Sequence, residues 1–203
     1  MVCLSLPWVF NMVSDKKIWD DFRKGGKSAL SHIYYQHIQM LFRYGKKFTQ
    51  DDDLIKDTIQ DLFIDLIRTR NNLGETDNIT FYLMVSFRRK LVKNLKKVKL
   101  NSDPVEEDEL TTEIVYSAEE ELINKENLTQ REEKVRKALA GITPKQREIL
   151  YYKFSCEFDY EQICEIMELQ YDSARKQVSR ALKVMKKALL DSGIFLFLSA
   201  LFF

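Results

Sequence analysis

Three adjacent carboxylates, Asp51, Asp52 and Asp53, come nearest to a catalytic arrangement in this chain. Clustered acids hold magnesium in nucleases. Here they directly precede a long amphipathic run, residues 54–70, and acids in that position satisfy free helix N–H groups and oppose the dipole. Capping is the better reading, and no metal is expected. The three cysteines, Cys3, Cys156 and Cys164, form no CxxC pair, and only His32 and His37 could join them. That spacing matches neither a zinc site nor a disulfide framework, so we expect no cofactor, a reducing cytosol, and Cys156 and Cys164 as small core residues. With no nucleophile–base pair in view, an enzyme is not expected.

The remaining chemistry is recognition through positive charge. Within residues 171–187, Ala174, Val178, Ala181, Leu182 and Met185 recur at steps of three and four and form one apolar stripe. Asp172, Arg175, Lys176, Ser179, Arg180 and Lys183 fall on the opposite side. From Ser173 to Leu190 there is no acid, whereas Arg175, Lys176, Arg180, Lys183, Lys186 and Lys187 are all basic. One-signed charge with guanidinium groups near the helix start is what a major-groove reading helix requires. The plain alternative is a solvated face.

The elements before it fit that role. Residues 159–169 form a short amphipathic helix with Asp159 as N-cap and Ile163, Ile166 and Met167 inward. Residues 143–154 open with an N-cap Thr143, Pro144 at the first helical position, and Gln146 completing a capping box. Three successive helices with the last one basic suit a helix-turn-helix better than an enzyme core.

The net charge of +1 conceals strong segregation. Residues 78–102 contain no acid, but carry Arg88, Arg89, Lys90, Lys93, Lys96, Lys97 and Lys99. Residues 103–126 hold ten acids against the single Lys125. Two basic patches around an acidic linker predict two nucleic-acid contacts on separate domains. The chain is expected to be all-α, with two helical domains joined by that linker. Its expected divisions are an extension (1–15), a first helical domain (16–100), the linker (101–127), the helix-turn-helix domain (128–190) and an apolar tail (191–203).

In the first domain, Trp19, Phe22, Tyr34, Tyr35, Phe42, Tyr44 and Phe48 are mostly core. The turn-rich residues 71–78 break the helix of 54–70. A basic, aromatic helix follows, with Phe87 and Leu91 facing inward. Phe81 and Tyr82 could stack on unpaired bases, at about 1–3 kcal/mol per base, or join the core. No segment reaches the roughly 20 apolar residues of a membrane span. Residues 2–10 are apolar without the basic residues of a signal peptide, and translation is expected to begin at Met12. The tail, residues 193–203, would reach only about 16 Å as a helix, too short for a bilayer core of about 30 Å. Folding back onto the protein, docking to a partner and shallow membrane attachment compete there; a regulatory interaction, within the chain or with a partner, is expected about equally with core packing.

Three motifs together resemble the extracytoplasmic-function (group 4) sigma factors of RNA polymerase. Residues 57–67, Asp-Thr-Ile-Gln-Asp-Leu-Phe-Ile-Asp-Leu-Ile, are similar to the family's clamp-binding segment, Asp-Leu-Val-Gln-Asp-Val-Phe-Leu-x-Leu-Trp. Residues 138–149 resemble the Ala-Leu-x-x-Leu-Pro-x-x-x-Arg-Glu opening of sigma region 4. Residues 160–167, with Ser173, Arg175 and Arg180-Ala-Leu182, resemble the family's Tyr-Glu-Glu-Ile-Ala-Glu-Ile-Leu helix and recognition helix. The resemblance covers about residues 16–99 (region 2) and 128–190 (region 4). The start of the basic helix is similar to the Tyr-Gln-Ser-Val-Arg form of Bacteroidetes sigma factors. Glu168 and Gln170 stand where the family usually has Gly and Ser, and Arg89 where it often has Asn.

The resemblance implies binding to core RNA polymerase (clamp and flap) and to promoter DNA, in the cytoplasm, with an anti-sigma factor as a further partner to which the tail could dock. It implies no small-molecule substrate and no catalytic residue. Asp57, Gln60, Asp61 and Phe63 would meet the clamp. The loop up to Asn78, with Tyr82, would hold the −10 element, and Arg88, Arg89 and Lys93 nearby phosphates. Tyr171, Asp172, Arg175, Lys176, Ser179 and Arg180 would enter the major groove at −35. A coil the length of residues 101–127 averages roughly 30 Å end to end but stretches to about 90 Å. Promoter elements somewhat under two turns apart lie about 60 Å from one another, so the linker spans them only when extended. The alternatives are a one-component helix-turn-helix regulator that binds duplex DNA without polymerase, and a helical protein-binding adaptor.

Overall fold

The computed structural model describes the backbone of residues 14–102 and 130–191 and the side chains of residues 14–98 and 134–189. The expectations for Met12, for most of the acidic linker and for the apolar tail lie outside the described residues. Those residues form eight α-helices and no strand: α1 (Asp15–Arg23), α2 (Lys27–Gly45), α3 (Asp52–Thr69), α4 (Ile79–Ser102), α5 (Gln130–Ala140), α6 (Pro144–Leu150), α7 (Tyr160–Met167) and α8 (Tyr171–Asp191). The all-α expectation holds.

Helix starts follow from local chemistry. The Asp51 carboxylate accepts the N–H groups of Asp53 and Leu54, so the acids do cap α3. Both Thr143 with Gln146 and Asp159 with Gln162 close capping boxes, at the starts of α6 and α7. At α4 the cap is shared between elements. Ile79 N–H donates to the Asp15 carboxylate of α1 at 2.9 Å, and Phe81 N–H to Asn78 Oδ1 at 2.9 Å.

The first four helices enclose Trp19, Phe22, Ile33, Leu41, Tyr44, Ile55, Leu62, Leu83, Phe87 and Leu91. Phe87 and Leu91 point inward as expected, while Tyr35 is exposed. The end of α2 presses closely on its neighbours: a Cβ on Gly45 would lie 2.8 Å from Ile55 Cγ2 and 3.3 Å from Phe87 Cζ. Asn94 Nδ2 donates to Thr58 Oγ1 at 3.0 Å, tying α4 to α3. The Trp19 indole N–H donates to Gly74 O at 2.8 Å and pins the loop between α3 and α4.

In the second half, α8 packs against α5, α6 and α7. Between α6 and α7 the chain makes one wide π turn, Tyr151–Ser155, with Cys156 N–H donating to Tyr151 O at 3.1 Å. Two glutamates with left-handed backbone, Glu157 (φ 58°) and Glu168 (φ 53°), flank α7. The two halves meet where α7 lies on α4, and their buried residues form one continuous core. Cys156 and Cys164, expected inside, are only partly buried at its edge. Burial pushes the Cys156 thiol up to about 11, and its Sγ lies 4.0 Å from Met84 Sδ across the junction.

Candidate nucleic-acid interface

The two faces of α8 are the ones its spacing predicts. Ala174, Val178 and Ala181 are buried, and Leu182 and Met185 pack partly buried beside them. Tyr171, Asp172, Arg175, Lys176, Ser179, Arg180 and Lys183 are all exposed. Among the described residues, none of Arg175, Lys176, Arg180 and Lys183 forms an ion pair, and Asp172 is the one acid that shares their groove. The Arg175 guanidinium lies 6.0 Å from the centre of the Tyr171 ring. That ring in turn meets Tyr160 edge-on at 5.6 Å, and Lys153 Nζ sits 4.9 Å over Tyr160. Alternating cations and rings therefore limit the positions Arg175 can take. Below them, Gln146 Nε2 donates to Gln177 Oε1 at 3.2 Å and fixes α6 against α8. The result is an open groove between α7 and α8, lined by Tyr160, Arg175, Lys176, Ser179 and Lys183 among others.

The cations of α4 are arranged differently. Lys93 is exposed. Lys90 is tied to Asp65 of α3, and this contact holds the Asp65 carboxyl below its usual range. Arg88, expected to offer its charge to phosphates, forks onto Glu148 of α6, with Nε to Oε1 at 2.7 Å and a second nitrogen to Oε2 at 3.4 Å. Their side chains are only 19% and 7% exposed. Burial alone would weaken the proton on Arg88, but the charge and hydrogen bonds of Glu148 outweigh it and raise the guanidinium above its ordinary value. Tyr152 donates its hydroxyl to Glu148 at 2.8 Å and pairs with the Tyr44 hydroxyl from the first half. Burial, joined by the neighbouring acidic groups, lifts both phenols well above the ordinary value, so both stay neutral. Arg89 is more exposed and reaches Glu168 at 3.9 Å.

Two other expected contacts are already engaged. Asn78 spends its side-chain oxygen as the cap of α4. Tyr82 is half-buried, with its ring 4.8 Å from Trp19. Phe81, a candidate for stacking on bases, instead meets Phe158 of the second half edge-on at 5.2 Å.

On α3, Asp57, Gln60 and Asp61 are exposed, but Phe63 is not. It is buried and packs edge-on against Tyr34 at 4.9 Å. The buried positions of α3 are 55, 58, 59, 62, 63 and 66, a stripe wide enough to take in two consecutive residues. The exposed apolar side chains there are Ile64 and Ile67, each 40% exposed. Continuing the phase of Gln60 by one turn would have found Ile64. The buried place of Glu148 was missed, although one signal was visible: an acid directly before Ile149 and Leu150 in a short helix.

Residues 132–185 match the family model described as "Sigma-70, region 4". This window takes in most of α5 and α8 and everything between. No curated protein sequence matches the chain. Two solved structures resemble it over most of its length. CnrH, in complex with the cytosolic domain of CnrY, shares 14% identity at a TM-score of 0.55, covering 88% of this chain and 98% of that one. The sigma factor RpoE from Bartonella quintana, in complex with the anti-sigma factor NepR, shares 17% at a TM-score of 0.53, covering 78% and 95%. Residues 132–185 are thus similar to a sigma-70 region 4, and over most of its length the chain has the fold of these two structures.

Proposed function

We propose that the protein is a sigma factor of the extracytoplasmic-function type that binds core RNA polymerase and directs promoter-specific initiation in the cytoplasm. The observation that carries this reading is α8: an exposed, predominantly basic face on the last described helix of a region 4 match, braced from behind by α6. In this assignment Tyr171, Asp172, Arg175, Lys176, Ser179 and Arg180 lie in the major groove of the −35 element. Residues 16–100 form region 2, residues 128–190 region 4, and the acidic residues 101–127 the connection between them.

Region 2 would take the −10 element on the loop up to Asn78, with Tyr82, Arg88, Arg89 and Lys93 beside it. Asp57, Gln60 and Asp61 would face the polymerase clamp, with Ile64 and Ile67 supplying the apolar contact that the motif alone assigns to Phe63. The chain carries out no covalent step; nucleotide transfer belongs to the polymerase. CnrH and RpoE were both solved bound to a second protein, an anti-sigma factor in the case of RpoE, and this supports a similar partner here. Among the described residues no helix is long and apolar enough to cross a membrane.

In vitro transcription with core polymerase tests the reading. A holoenzyme that starts RNA at a defined promoter is the expected result. Duplex binding without polymerase and no initiation in its presence would replace it with a one-component regulator.

A further inference from the structure

Helix α1 lies along the loop that the sigma-factor reading gives to the −10 element, and meets it at successive points. The Asp15 carboxylate accepts the Ile79 N–H at 2.9 Å, Lys16 Nζ meets Glu75 at 3.4 Å, and the Trp19 indole N–H donates to Gly74 O at 2.8 Å. Just past the end of α1, a Cβ on Gly25 would lie 3.8 Å from the Arg70 guanidinium carbon. Taken in order along α1, these partners run backwards along the loop: 79, 75, 74 and 70. The helix is therefore an antiparallel splint for the whole connection between α3 and α4. Its contacts differ in weight. Lys16 and Glu75 are 60% and 67% exposed, so their pair contributes little. Trp19 is wholly enclosed and Asp15 half-buried, which leaves these two as the main supports.

The loop is also tied into itself. Leu73 N–H donates to Arg70 O at 3.4 Å, and the Thr76 hydroxyl accepts the Asn78 N–H at 3.1 Å. Exposed beyond these ties are the side chains of Asn71, Asn72 and Asp77. A connection this rich in Asn and Gly has many conformations open to it when nothing holds it. Surfaces of that kind re-pack around more than one partner. A loop held in one shape instead leaves the polar groups of a wrong base unpaired, and an unpaired group is penalised more than a paired one is rewarded. Building on the sigma-factor reading, we propose that Trp19 and Asp15 are positioning residues for base discrimination at the −10 element. Neither touches DNA; both act through the loop that α1 holds.

The test uses holoenzyme reconstituted from the full chain and a promoter library randomised at the −10 and −35 elements, with transcripts counted by sequencing. The readout is the ratio between bases at each position, not the amount of RNA. A variant that merely folds less well starts fewer transcripts from every promoter alike and leaves those ratios unchanged. Trp19→Phe keeps a ring and removes the N–H; Asp15→Ala removes the acceptor for Ile79. Each should lower the preference at the −10 element about tenfold, within the discrimination that one hydrogen-bonded base contact supplies. The −35 ratios and polymerase capture should not move. Asp15→Asn keeps an acceptor and should restore most of the preference. Hydrogen exchange on the free chain should rise at residues 71–79 in Trp19→Phe and Asp15→Ala. Unchanged −10 ratios in the folded variants overturn the proposal, as do −10 and −35 ratios that fall together, or a loop whose exchange does not rise. If wild-type holoenzyme starts at no member of the library, the sigma-factor reading fails and the discrimination assigned to Trp19 and Asp15 fails with it. Exchange still decides whether α1 holds the loop.

Discussion

The two basic helices of this molecule carry similar charge and have opposite circumstances. On α8 the cations from Arg175 to Lys183 face solvent and form no ion pair among the described residues, with Asp172 the one acid on their face before them, and the helix buries its small apolar side. On α4, Arg88 is bound to a buried acid of the second half, Arg89 lies near another, and Phe81 and Phe87 ahead of them pack inward. The difference lies in the neighbours. Among the described residues α8 packs chiefly against α5, α6 and α7 of its own half, whereas α4 is covered on one side by α7. Charge patterning locates both helices equally well, but availability is decided by what else folds against them.

The sharpest way to break this contrast is at Glu148. Glu148→Ala leaves Arg88 and Tyr152 without their acceptor and should cost about 3–5 kcal/mol if the halves stay closed. Adding Arg88→Met should recover much of that loss, measured by urea unfolding as a double-mutant cycle; additive losses would mean that the two residues do not act as a pair. On α3, Phe63→Ala should cost the first four helices about 3–5 kcal/mol, as expected for emptying a buried aromatic site. Ile64→Asp should instead leave unfolding unchanged and weaken polymerase capture. Reversed phenotypes would show that the face of α3 has been misassigned.

On α8, Arg175→Ala or Arg180→Ala should cost about 1–3 kcal/mol at the −35 element and relax base preference there. Lys186→Ala should weaken all sequences evenly. Unchanged selectivity in binding-site selection would mean that α8 does not read bases through these arginines. A smaller effect is expected at Glu168. Its pair with Arg89 is largely exposed, 74% and 55% for the two side chains, and such pairs contribute at most about 1 kcal/mol. Glu168→Gly also relieves the left-handed backbone, a gain of up to about 1 kcal/mol. Thermal stability should therefore hold steady or rise, and a clear fall would show the pair to be stronger than its exposure implies.

Acid should act on the α4 side of the contrast. His37 sits between α2 and α4, with its Nδ1–H donating to Ile33 O at 2.8 Å and its Nε2 3.2 Å from Thr80 Oγ1. Burial lowers its pKa below the ordinary 6.5, and the Ile33 hydrogen bond and Asp15 only partly oppose this, while His32 adds to it. The unfolded chain then takes up the proton first. The stability His37 contributes is complete above 6.5 and declines as pH falls from there toward the lower, folded value. His37→Gln should show a smaller drop in Tm between pH 7.5 and 5.5 than wild type; equal drops would sink the idea.

Helix starts and helix faces were legible in the sequence because both are local. A cap needs only a residue and its neighbours three positions on, as at Thr143 and Asp159. The stripe on α8 needs only a period. Phe63 was misplaced because a broad stripe admits two consecutive residues, and motif similarity does not say which of them points inward. Arg88 was beyond reach for a different reason: its partner lies 60 residues away across a domain junction, and no local rule links the two. Cys156 follows a π turn, whose extra residue shifts the register that regular helical counting assumes.

The hydrogen bond from Trp19 to Gly74 has a practical consequence. The chain contains two tryptophans, and Trp19 is wholly enclosed, with its indole anchored to the loop proposed to receive the −10 element. Once Trp8 is replaced by phenylalanine, the emission of Trp19 becomes a native optical signal for that loop. Any event that pulls Gly74 away would free the indole N–H and admit water, shifting the emission to the red without an added dye. The molecule thus carries its own gauge of whatever engages that loop, readable in real time.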